Sequence, residues 1–594
     1  MRVADYIIDR LYDEGAKHIF MVTGRGALFL TDAVAAHKEV EGVPMHHEQA
    51  AAYAAVAYSD YAESPGVCLV STGCAGTNAI TGVLNAWQDG IPCVFISGQN
   101  KLEETTNYSG IPIRTYGQQE ANLIPIVSSI TKYSVMISDP NRIVYEMEKA
   151  LHLAQSGRMG PVWIDVPLDI QNMRVEPERL ETFVVEDEGL FEPSKDDLRY
   201  LEEAIFDAER PAVLIGSGIR SADAISDLET FIDNYGIPLT FSGSAPDIYG
   251  TKKDMSIGSV GIMGCTRAGN FTVQNSDLLL VLGCRLSPMT TDSDCSKFAR
   301  GARVIVVDID PIEHSKGIVN IDRLIIADVK KVLSALNSKR SKAQKTDEWL
   351  ERCQHWKGIF PEFDEVFNVS ERIDLYHLAR CLSNELPDKS VFVSDSGLIE
   401  LILPTNINFG SGQRCIHPAS QGSMGFALPG LIGAHFASDL PVISVIGDGS
   451  IMMNLQELET IRHNNVPAKI FVINNNAYAV IRKRQVELFR SRTIGVDPSD
   501  GVSCPDFKMV AGCFGMNYEK IEENQDLTVR VREVLGTEGP VLCEIMGLED
   551  QDWVRSSHTR DANKRLVFRP LEDQAPYLDR NVFNSEMIVE PIDQ

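Results

Sequence analysis

The chain has 594 residues, a length that exceeds one hydrophobic core and predicts about three to four domains. Hydrophobic residues make up 44% of the chain and charged residues 23%, as in ordinary globular proteins. The formal net charge of −28 argues against binding to nucleic-acid phosphates or to an anionic membrane surface, and its simplest role is solubility.

The cysteines and the chain start indicate the compartment. Twelve cysteines occur without a C-x-x-C pair, which argues against a disulfide framework and a zinc site. The start, "MRVADYIIDR", lacks the apolar segment of a signal peptide, and no apolar run approaches the ~18 residues of a membrane span. We therefore expect a soluble cytoplasmic protein.

Short apolar runs rich in β-branched residues alternate with helix-length segments along the chain. Nearly continuous apolar strands separated by helices are typical of parallel sheets covered by helices on both faces. We therefore predict an α/β protein. The runs are, in chain order, "GVCLVSTG", "IPCVFISG", "PVWIDVP", "PAVLIGSG", "DLLLVLG", "ARVIVVDID", "SVFVSDSG", "PVISVIGDG" and "AKIFVINN".

Two charged stretches, residues 174–197 and 334–354, suggest domain boundaries. The predicted units are an N-terminal domain (1–180), a central domain (190–340), a C-terminal domain (360–555) and a polar C-terminal tail (556–594).

A weak internal repeat links the first and third units. Residues 68–97 and 443–474 each contain a strand, a glycine turn, a helix, an (I/V)-P step and a second strand. A repeat of this length predicts two related α/β domains on either side of a third. The alternative is that any two βαβ units look alike.

The segment "GDGSIMMNLQELETIRHNNVPAKIFVINNN" places an acid at the end of one predicted strand and amides at the end of the next. Gly447 and Gly449 permit a tight turn and leave the amides of the following helix open, as in a diphosphate site. Asp448 would repel a diphosphate unless a cation lay between them. Mg²⁺ takes carboxylate, phosphate and amide oxygens, and Asn475 returns to the same sheet edge. The unit predicts a metal–diphosphate site.

Simpler interpretations of this segment are an N-cap at Asp448 and a turn at the asparagines. A P-loop is excluded because the Gly-Lys-Ser/Thr ending is absent. The segment resembles the cofactor motif of thiamine diphosphate enzymes, in which GDG is followed by NN one crossover later. The resemblance implies that Asp448, the Asn475 side chain and the Ala477 carbonyl bind Mg²⁺.

Glu48, in "HHEQAAAYAAVAYSDYA", matches the glutamate with which this family hydrogen-bonds the aminopyrimidine ring of the cofactor. Taken alone, a glutamate at a helix N-terminus is explained by the helix macrodipole. Because Glu48 and Asp448 lie in different domains, the cofactor is expected to bridge them. In the family this bridge crosses a subunit interface, which implies a homodimer or homotetramer.

The resemblance extends over nearly the whole chain and is closest to acetolactate (acetohydroxyacid) synthase catalytic subunits, notably in "QGSMGFALPGLIGA". It implies that Met424 holds the cofactor bent and that Met453 contacts the pyrimidine, although both could be ordinary core residues. Gln119 and Lys132 match active-site positions, with surface polar residues as the alternative. The resemblance also assigns cofactor contacts to Gly73, Gly397, Gln421 and Ser450.

The central domain is the usual place for FAD in these synthases. "LIGSGIRS" has Gly216 and Gly218 but no third glycine, so it is a weak dinucleotide fingerprint. "SPMTT" also replaces the D-R run of the synthases, and the alternative is a central domain without a nucleotide. Further positions that match the FAD site are Arg158, Arg285, Asp308 and Asp328.

Two arginines depart from the synthase pattern. Arg484 stands where the synthases often carry tryptophan, and Arg25 lies in the "TGRGA" loop that matches their Pro-Gly-Gly loop. The segments "RTYGQQEANLIPIVSSITKYSVM" and "RPLEDQAPYLDR" are more similar to synthase-like proteins of surface-sugar pathways. Two extra arginines suit a phosphorylated or carboxylated acceptor. The alternative for Arg484 is a solvated surface charge.

The resemblance implies a carboligase that decarboxylates pyruvate and transfers the two-carbon unit to a second carbonyl. The cofactor performs the hard chemistry, and protein groups orient the reactants. The acceptor is a second 2-oxo acid or, alternatively, a keto group of a nucleotide sugar. Other possibilities are a simple 2-oxo acid decarboxylase and a non-catalytic thiamine-fold or flavin-binding protein.

Overall fold

The computed structural model of the chain describes residues 1–62, 64–185, 191–292, 294–339, 346–364, 371–560 and 566–592. These parts form three α/β domains, each built on one six-stranded parallel sheet. The predicted fold class is therefore confirmed.

The N-terminal domain contains β1 (His18–Met21), β2 (Glu41–Pro44), β3 (Gly66–Val70), β4 (Cys93–Gln99), β5 (Tyr133–Met136), β6 (Val162–Pro167), α1 (Val3–Asp13), α2 (Leu28–Ala36), α3 (Glu48–Ala62), α4 (Cys74–Asp89), α5 (Thr106–Ser109), α6 (Ile124–Val127), α7 (Ile143–Gln155) and α8 (Leu168–Gln171).

The middle domain contains β7 (Pro211–Ile215), β8 (Leu239–Ser242), β9 (Ser256–Val260), β10 (Leu278–Leu282), β11 (Arg303–Asp308), β12 (Arg323–Ile326), α9 (Lys195–Asp207), α10 (Gly218–Ser221), α11 (Ile225–Tyr235), α12 (Arg267–Asn275), α13 (Pro288–Thr291), α14 (Val329–Asn337) and α15 (Asp347–Asp364).

The C-terminal domain contains β13 (Ser390–Val393), β14 (Gln413–Ile416), β15 (Val442–Gly447), β16 (Lys469–Asn474), β17 (Asn517–Ile521), β18 (Val541–Met546), α16 (Leu375–Glu385), α17 (Leu398–Asn406), α18 (Ala427–Ala437), α19 (Glu457–His463), α20 (Ala479–Leu488), α21 (Phe507–Cys513) and α22 (Leu527–Gly536). The tail adds β19 (His558–Arg560), β20 (Leu566–Phe568) and α23 (Arg580–Glu586).

The first and third sheets have the same topology. Their strand orders are β2-β1-β3-β4-β6-β5 and β14-β13-β15-β16-β18-β17, which correspond strand for strand. The segment 68–97 spans β3 to β4, and 443–474 spans β15 to β16, so the sequence repeat marks equivalent units. The middle sheet differs, with the order β12-β11-β10-β7-β8-β9.

Helices α3 and α18, which occupy equivalent positions in the two related domains, pack against each other. Their contact is close because it is built from small residues: a Cβ added to Gly433 would lie 2.1 Å from the Ala54 carbonyl oxygen. One hydrophobic cluster includes both helices and the strands on either side of them. The N- and C-terminal domains therefore share a core.

The segments that follow the middle and C-terminal sheets both pack on the middle domain. Helix α15 falls between the predicted central and C-terminal units, and its Trp356 contacts Phe271 of α12. The tail also folds here, because Arg267 Nη1 donates to the carbonyl of Gln574 at 3.1 Å. Phe583 of α23 joins the same hydrophobic cluster.

A buried charge network joins all three domains. Asp247 of the middle domain accepts from Arg220 at 3.0 Å and from Arg414 of the C-terminal domain at 2.6 Å. Arg414 also donates to the backbone carbonyl of Asp60 on α3, at 2.6 Å. Removing Asp247 would take the counter-charge from Arg220 and leave Arg414 with the more distant Asp60, at 3.5 Å, which is strongly destabilising in a buried site.

Two observations concern the environment of the chain. All twelve cysteines are free thiols. Within the ranges described above, no helix combines the length and the apolar character that crossing a bilayer requires.

Candidate active site

The acid and the amides of the GDG–NN segment lie side by side. Strands β15 and β16 are parallel neighbours, with Gly447 opposite Ile473. The Asp448 amide donates to the Ile473 carbonyl at 3.0 Å, which places Asp448 next to the turn that begins at Asn475. The two groups thus meet at the carboxyl edge of the sheet, where ligands of parallel sheets bind.

The Asp448 carboxylate is buried and held only by neutral donors. The backbone amides of Gly449 and Asn476 each donate to it at 2.7 Å. Burial raises the pKa of Asp448 to about 6, and no Lys or Arg among the described residues forms an ion pair with it. A buried carboxylate without a counter-charge is costly, and a bound cation would remove this cost.

The donor atoms around Asp448 suit a hard cation. The Asn475 side-chain oxygen accepts from the Ala477 amide at 3.2 Å, so Asn475 and Ala477 form one turn beside Asp448. Within the described ranges, no group of three or more His, Cys, Asp and Glu side chains gathers as a metal site. One carboxylate, one amide oxygen and one carbonyl oxygen fit Mg²⁺, which commonly completes its shell with phosphate oxygens and water.

Ser450 connects the GDG turn to a second strand end. Its hydroxyl donates to Asp395, two residues past β13, and accepts from the Gly425 amide at 2.8 Å. Asp395 is fully buried and also accepts from the Ala427 amide at 2.8 Å. Asp395 was not predicted, although an acid directly after a buried strand, in "VFVSDSG", is the same signal that identified Asp448.

Gly449 and Gly397 occupy this edge for different structural reasons. A Cβ on Gly449 would lie 2.0 Å from the Tyr478 ring, so close packing requires glycine there. Gly397 precedes α17 with φ of +77°, and its Cβ position faces open space. The start of α17 is therefore open at Gly397, and a helix N-terminus suits an anionic group.

Met453, the predicted pyrimidine contact, and Met424, predicted to hold the cofactor bent, lie beside this edge. The Met453 side chain is 47% exposed, and a Cβ on Gly425 would lie 2.5 Å from the Met453 Cβ atom. Met424, directly before Gly425, is half-buried. Gln421 instead contacts the N-terminal domain, where its Nε2 donates to the Thr81 carbonyl of α4 at 3.0 Å.

A second group of predicted residues gathers at the carboxyl edge of the N-terminal sheet. Glu48 begins α3 and accepts from Asn78 of α4 at 2.9 Å. A Cβ on Gly73, which precedes α4, would lie 1.7 Å from the Gln119 carbonyl oxygen. Arg25 donates to Gln118 at 3.2 Å. Glu48, Gly73, Gln119 and Arg25 thus belong to one edge.

The two edges are linked within one chain through residues next to the predicted ones. The Asn454 side chain donates to Gln49 at 3.2 Å, and the His46 amide donates to Glu457 at 3.2 Å. Glu48 lies between His46 and Gln49, so its helix start is tied to the segment that follows Met453.

Lys132 does not lie with Glu48 and Gln119. It directly precedes β5, and its amide donates to the Pro161 carbonyl at the start of β6, which is the amino edge of the sheet. Its Nζ donates to the Ser156 carbonyl at 2.5 Å, and burial lowers its pKa to about 8. This contact fixes Lys132 to its own domain.

Five of the six predicted flavin residues line one groove at the carboxyl edge of the middle sheet, and the exception is Gly216. The groove lies where β7 and β10 are neighbours and the strand order reverses, the usual ligand position in such sheets. Its lining includes Arg158, Gly218, Arg285, Asp308 and Asp328.

Several of these residues already have protein partners. Arg158 pairs with Asp310 at 3.0 Å, and Asp308 pairs with His314 at 3.0 Å. A Cβ on Gly216 would lie 2.3 Å from the Gly283 carbonyl oxygen. Packing of the β7 turn on the β10 turn therefore accounts for Gly216, independently of any ligand.

Arg484 lies on α20, and its guanidinium is 3.6 Å from Glu487. Its side chain is 41% exposed, so it is neither buried nor fixed by a strong ion pair. It is separated in sequence from Asn475 by one turn and the start of α20.

Comparison with known proteins identifies the fold components. Residues 1–125 match the "Thiamine pyrophosphate enzyme, N-terminal TPP binding domain" model, residues 198–336 the central domain and residues 395–545 the C-terminal TPP binding domain. Thiamine pyrophosphate is thiamine diphosphate.

The relatives are similar over nearly the whole chain. The acetolactate synthase large subunit of Corynebacterium glutamicum is 30% identical over 593 residues, covering 96% of this chain and 92% of the relative. That of Porphyra purpurea is 29% identical and covers 97% of both chains. That of Buchnera aphidicola is 31% identical and covers 86% and 88%. The chain therefore belongs to the thiamine pyrophosphate enzyme family, and within it is similar to the acetolactate synthase large subunits.

Proposed function

We propose that the protein is a thiamine diphosphate-dependent carboligase that decarboxylates pyruvate and transfers the two-carbon unit to a second carbonyl compound. One observation carries the cofactor site: the buried Asp448 carboxylate has no cationic partner among the described residues and lies beside Asn475 and Ala477. The similarity to acetolactate synthase large subunits supports the reaction.

The residues of the two sheet edges have distinct proposed roles. Asp448, Asn475 and Ala477 hold Mg²⁺. Ser450 and the amides at the start of α17 hold the diphosphate, and Met424 and Met453 support the rings of the cofactor. When bound, thiamine diphosphate supplies the electron sink that decarboxylation needs. The resemblance adds five proposed cofactor contacts, which are Gly73, Gly397, Gln421, Gly447 and Gly449.

Glu48 is proposed to exchange a proton with the aminopyrimidine ring. Its carboxylate accepts from Asn78, which fixes its orientation at the start of α3. Gln119 and Arg25, at the same edge, are proposed to orient the substrates. For Lys132 we propose at most an indirect role, because its ammonium group is bound to the Ser156 carbonyl at the other edge.

The reaction is tested by mass spectrometry of the products formed from ¹³C-labelled pyruvate in the presence of Mg²⁺ and thiamine diphosphate. A new carbon–carbon bond between two carbonyl compounds is expected. Release of labelled acetaldehyde alone would indicate a simple decarboxylase, and no cofactor binding by calorimetry would reject the enzyme proposal.

We propose that the middle-domain groove binds FAD. The support is its position at the strand-order reversal and the presence of Arg285 with the carboxylates of Asp308 and Asp328, which suit a diphosphate and ribose hydroxyls. Since carboligation involves no net redox change, the flavin would have a structural role. Heat-released flavin, identified by chromatography, tests this assignment.

We propose a homodimer, or a homotetramer built from it, with the active site at the subunit interface. Patches of exposed apolar side chains lie beside both half-sites, and such patches mark interaction surfaces. In the N-terminal domain the patch consists of Leu28, Tyr108, Ile111, Ile113 and Tyr116. In the C-terminal domain it consists of Met452, Met453, Ile481, Leu488, Phe489 and Ile494.

A cytoplasmic location is proposed on one ground. All twelve cysteines are free thiols, which suits a reducing compartment. Fractionation of cells followed by immunodetection tests the proposal.

A further inference from the structure

Gln119 has a backbone conformation that glutamine rarely adopts. Its φ of +62° lies in the left-handed region, where glycine is the usual residue. It is the third residue of a turn that closes when the Glu120 amide donates to the Gly117 carbonyl at 3.3 Å. A turn whose third residue has a positive φ favours glycine or asparagine there. The turn alone does not account for glutamine, and strain of this kind indicates a use for the side chain.

The side chain of Gln119 is available for contact with a ligand. It is exposed and forms no hydrogen bond with the described part of the chain. The backbone is closely packed, because a Cβ on Gly73 would lie 1.7 Å from the Gln119 carbonyl oxygen. Gly73 precedes α4, the helix whose Asn78 donates to Glu48. The backbone of Gln119 is thus packed against the helix that holds Glu48, while its side-chain amide has no partner.

Two buried amide side chains bind the carbonyl groups on either side of Gln119. Asn100 Nδ2 donates to the Gln118 carbonyl at 2.9 Å, and Gln99 Nε2 donates to the Ala121 carbonyl at 3.0 Å. Gln99 is the last residue of β4 and Asn100 follows it, and they are 1% and 5% exposed. The end of one buried strand therefore fixes the chain both before and after Gln119.

The orientation of these two amides is fixed in turn by the sheet. Asp165 of β6 accepts from Gln99 Nε2 at 3.1 Å, and Gln99 Oε1 accepts from the Asn100 backbone amide at 3.0 Å. A Cβ on Gly117 would lie 2.8 Å from Asn100 Nδ2, so the Asn100 side chain also packs against the turn. Alanine in place of Asn100 would lose both the hydrogen bond and this contact.

We propose that Asn100 and Gln99 are positioning residues, which hold Gln119 in its left-handed conformation so that its side-chain amide contacts the substrate. The inference rests on the proposed carboligase function, in which Gln119 orients the substrates, and adds the residues that maintain this orientation. Both side chains act on backbone carbonyls and need not touch the substrate. Their effect can be large, because a displacement of about 1 Å in an orienting group can lower the rate roughly a hundredfold.

A double-mutant cycle tests whether Asn100 acts through Gln119. Asn100→Ala and Gln119→Ala are each expected to lower kcat/KM for ¹³CO₂ release from labelled pyruvate roughly 10- to 100-fold. The double variant should lose no more than roughly a further twofold, because Asn100 then has no side chain to position. A general structural defect would lower turnover by the same factor in both backgrounds. Asn141→Ala, at an exposed asparagine of the same domain, is the control and should retain full turnover.

Gln119→Gly separates the backbone conformation from the side chain. Glycine adopts a φ of +62° without strain, whereas alanine does not. Gln119→Gly should therefore melt about 1–3 °C above Gln119→Ala. Both variants lack the side-chain amide, so both should lose turnover to the same extent.

Hydrogen exchange reports on the turn independently of turnover. The cofactor-loaded protein is measured by mass spectrometry without pyruvate, in peptides that cover residues 116–121. Exchange in Asn100→Ala should be roughly three- to tenfold faster than in the unmodified protein, the effect of one lost hydrogen bond. Asn141→Ala should exchange as the unmodified protein does.

Four results would overturn the inference. They are unchanged exchange in Asn100→Ala, full turnover of Asn100→Ala, losses that multiply in the double variant, and retained turnover in Gln119→Gly. Failure of the carboligase proposal gives a different pattern, in which the unmodified protein forms no carbon–carbon product while the exchange difference remains.

Discussion

The carboxylate of Asp448 accepts a hydrogen bond from the backbone amide of Asn476, with 2.7 Å between Oδ2 and N. This bond ties the ends of β15 and β16 together before any cation binds. In Asp448→Asn the side-chain NH2 group would face one of the two amide donors, Gly449 or Asn476, and the negative charge would be lost. We expect cofactor affinity at limiting Mg²⁺ to fall at least roughly a hundredfold, measured by calorimetry. Unchanged affinity would contradict the metal assignment.

Glu48→Gln tests the proton exchange assigned to the N-terminal edge. Glutamine keeps the size of the side chain and can still bond Asn78, but it cannot take up a proton. Release of ¹³CO₂ from labelled pyruvate should fall roughly 10²- to 10⁴-fold, the usual contribution of a positioned acid or base. Glu103→Gln, at an exposed carboxyl of the same domain, should retain full turnover. Retained turnover in Glu48→Gln would reject the assignment.

The ion pairs of Asp247 with Arg220 and Arg414 are expected to make the contact between domains sensitive to acid. Burial raises its pKa, but the charges of Arg220 and Arg414 outweigh this effect and lower the pKa to about 2. A lowered pKa means that the stabilisation is present above the ordinary aspartate value near ~3.9 and is lost as pH falls toward 2. For a shift of this size the stabilisation is about 2–3 kcal/mol.

Asp247→Asn removes this link at neutral pH. Arg220 would then lack a counter-charge and Arg414 would keep the more distant Asp60, at a cost of about 3–5 kcal/mol, and the melting temperature should drop by several degrees. The difference from the unmodified protein should shrink as pH falls below about 4. Asp233→Asn, at an exposed aspartate of α11, is the control, and equal melting curves for the two variants would contradict the prediction.

Arg285 is expected to contribute to flavin binding. It lines the nucleotide groove, and its guanidinium is the lining group best suited to a diphosphate. If FAD is bound, Arg285→Gln should contain less flavin, measured as absorbance per protein chain after purification with added FAD. Arg530→Gln, on α22, should contain the normal amount. Equal flavin content in both would remove Arg285 from the site.

Phe489 and Leu488 test the proposed interface. Their side chains are 51% and 66% exposed, next to Arg484. Phe489→Arg should dissociate the oligomer, seen as a lower mass in analytical ultracentrifugation, and should also reduce turnover because each active site would lose its second half. Val529→Arg, at a 56% exposed valine of α22, should leave the mass unchanged.

The sequence predicted the fully buried strands better than the partly exposed strands at the sheet edges. The apolar runs became strands because burial on both faces requires continuous hydrophobic residues, as in Leu278–Leu282. The short edge strands β5 and β17 were not recognised, since they are partly exposed and carry polar residues. Pairing with a neighbour, which no local pattern records, makes them strands.

The sequence predicted those site residues that have a suitable functional group and directly follow an apolar run. Asp448 and Asn475 follow two apolar runs, so parallel pairing brings them together. Asp395 follows a third run in the same way but was overlooked, because it lies outside the GDG motif. For Lys132 the motif match was not sufficient. It does not reveal that the residue precedes its strand and so lies at the amino edge of the sheet.

The packing of helix α3 limits how this protein can be divided into fragments. Its residues from Ala50 to Ser59 are buried on every side, partly by the neighbouring α4 and partly by α18, which lies more than 350 positions further along the chain. Synthesis of the N-terminal region therefore exposes an alanine-rich surface until the last third of the chain emerges. A fragment that ends before Ala427 would lack its cover, so the chain matures as one unit although its sequence reads as three.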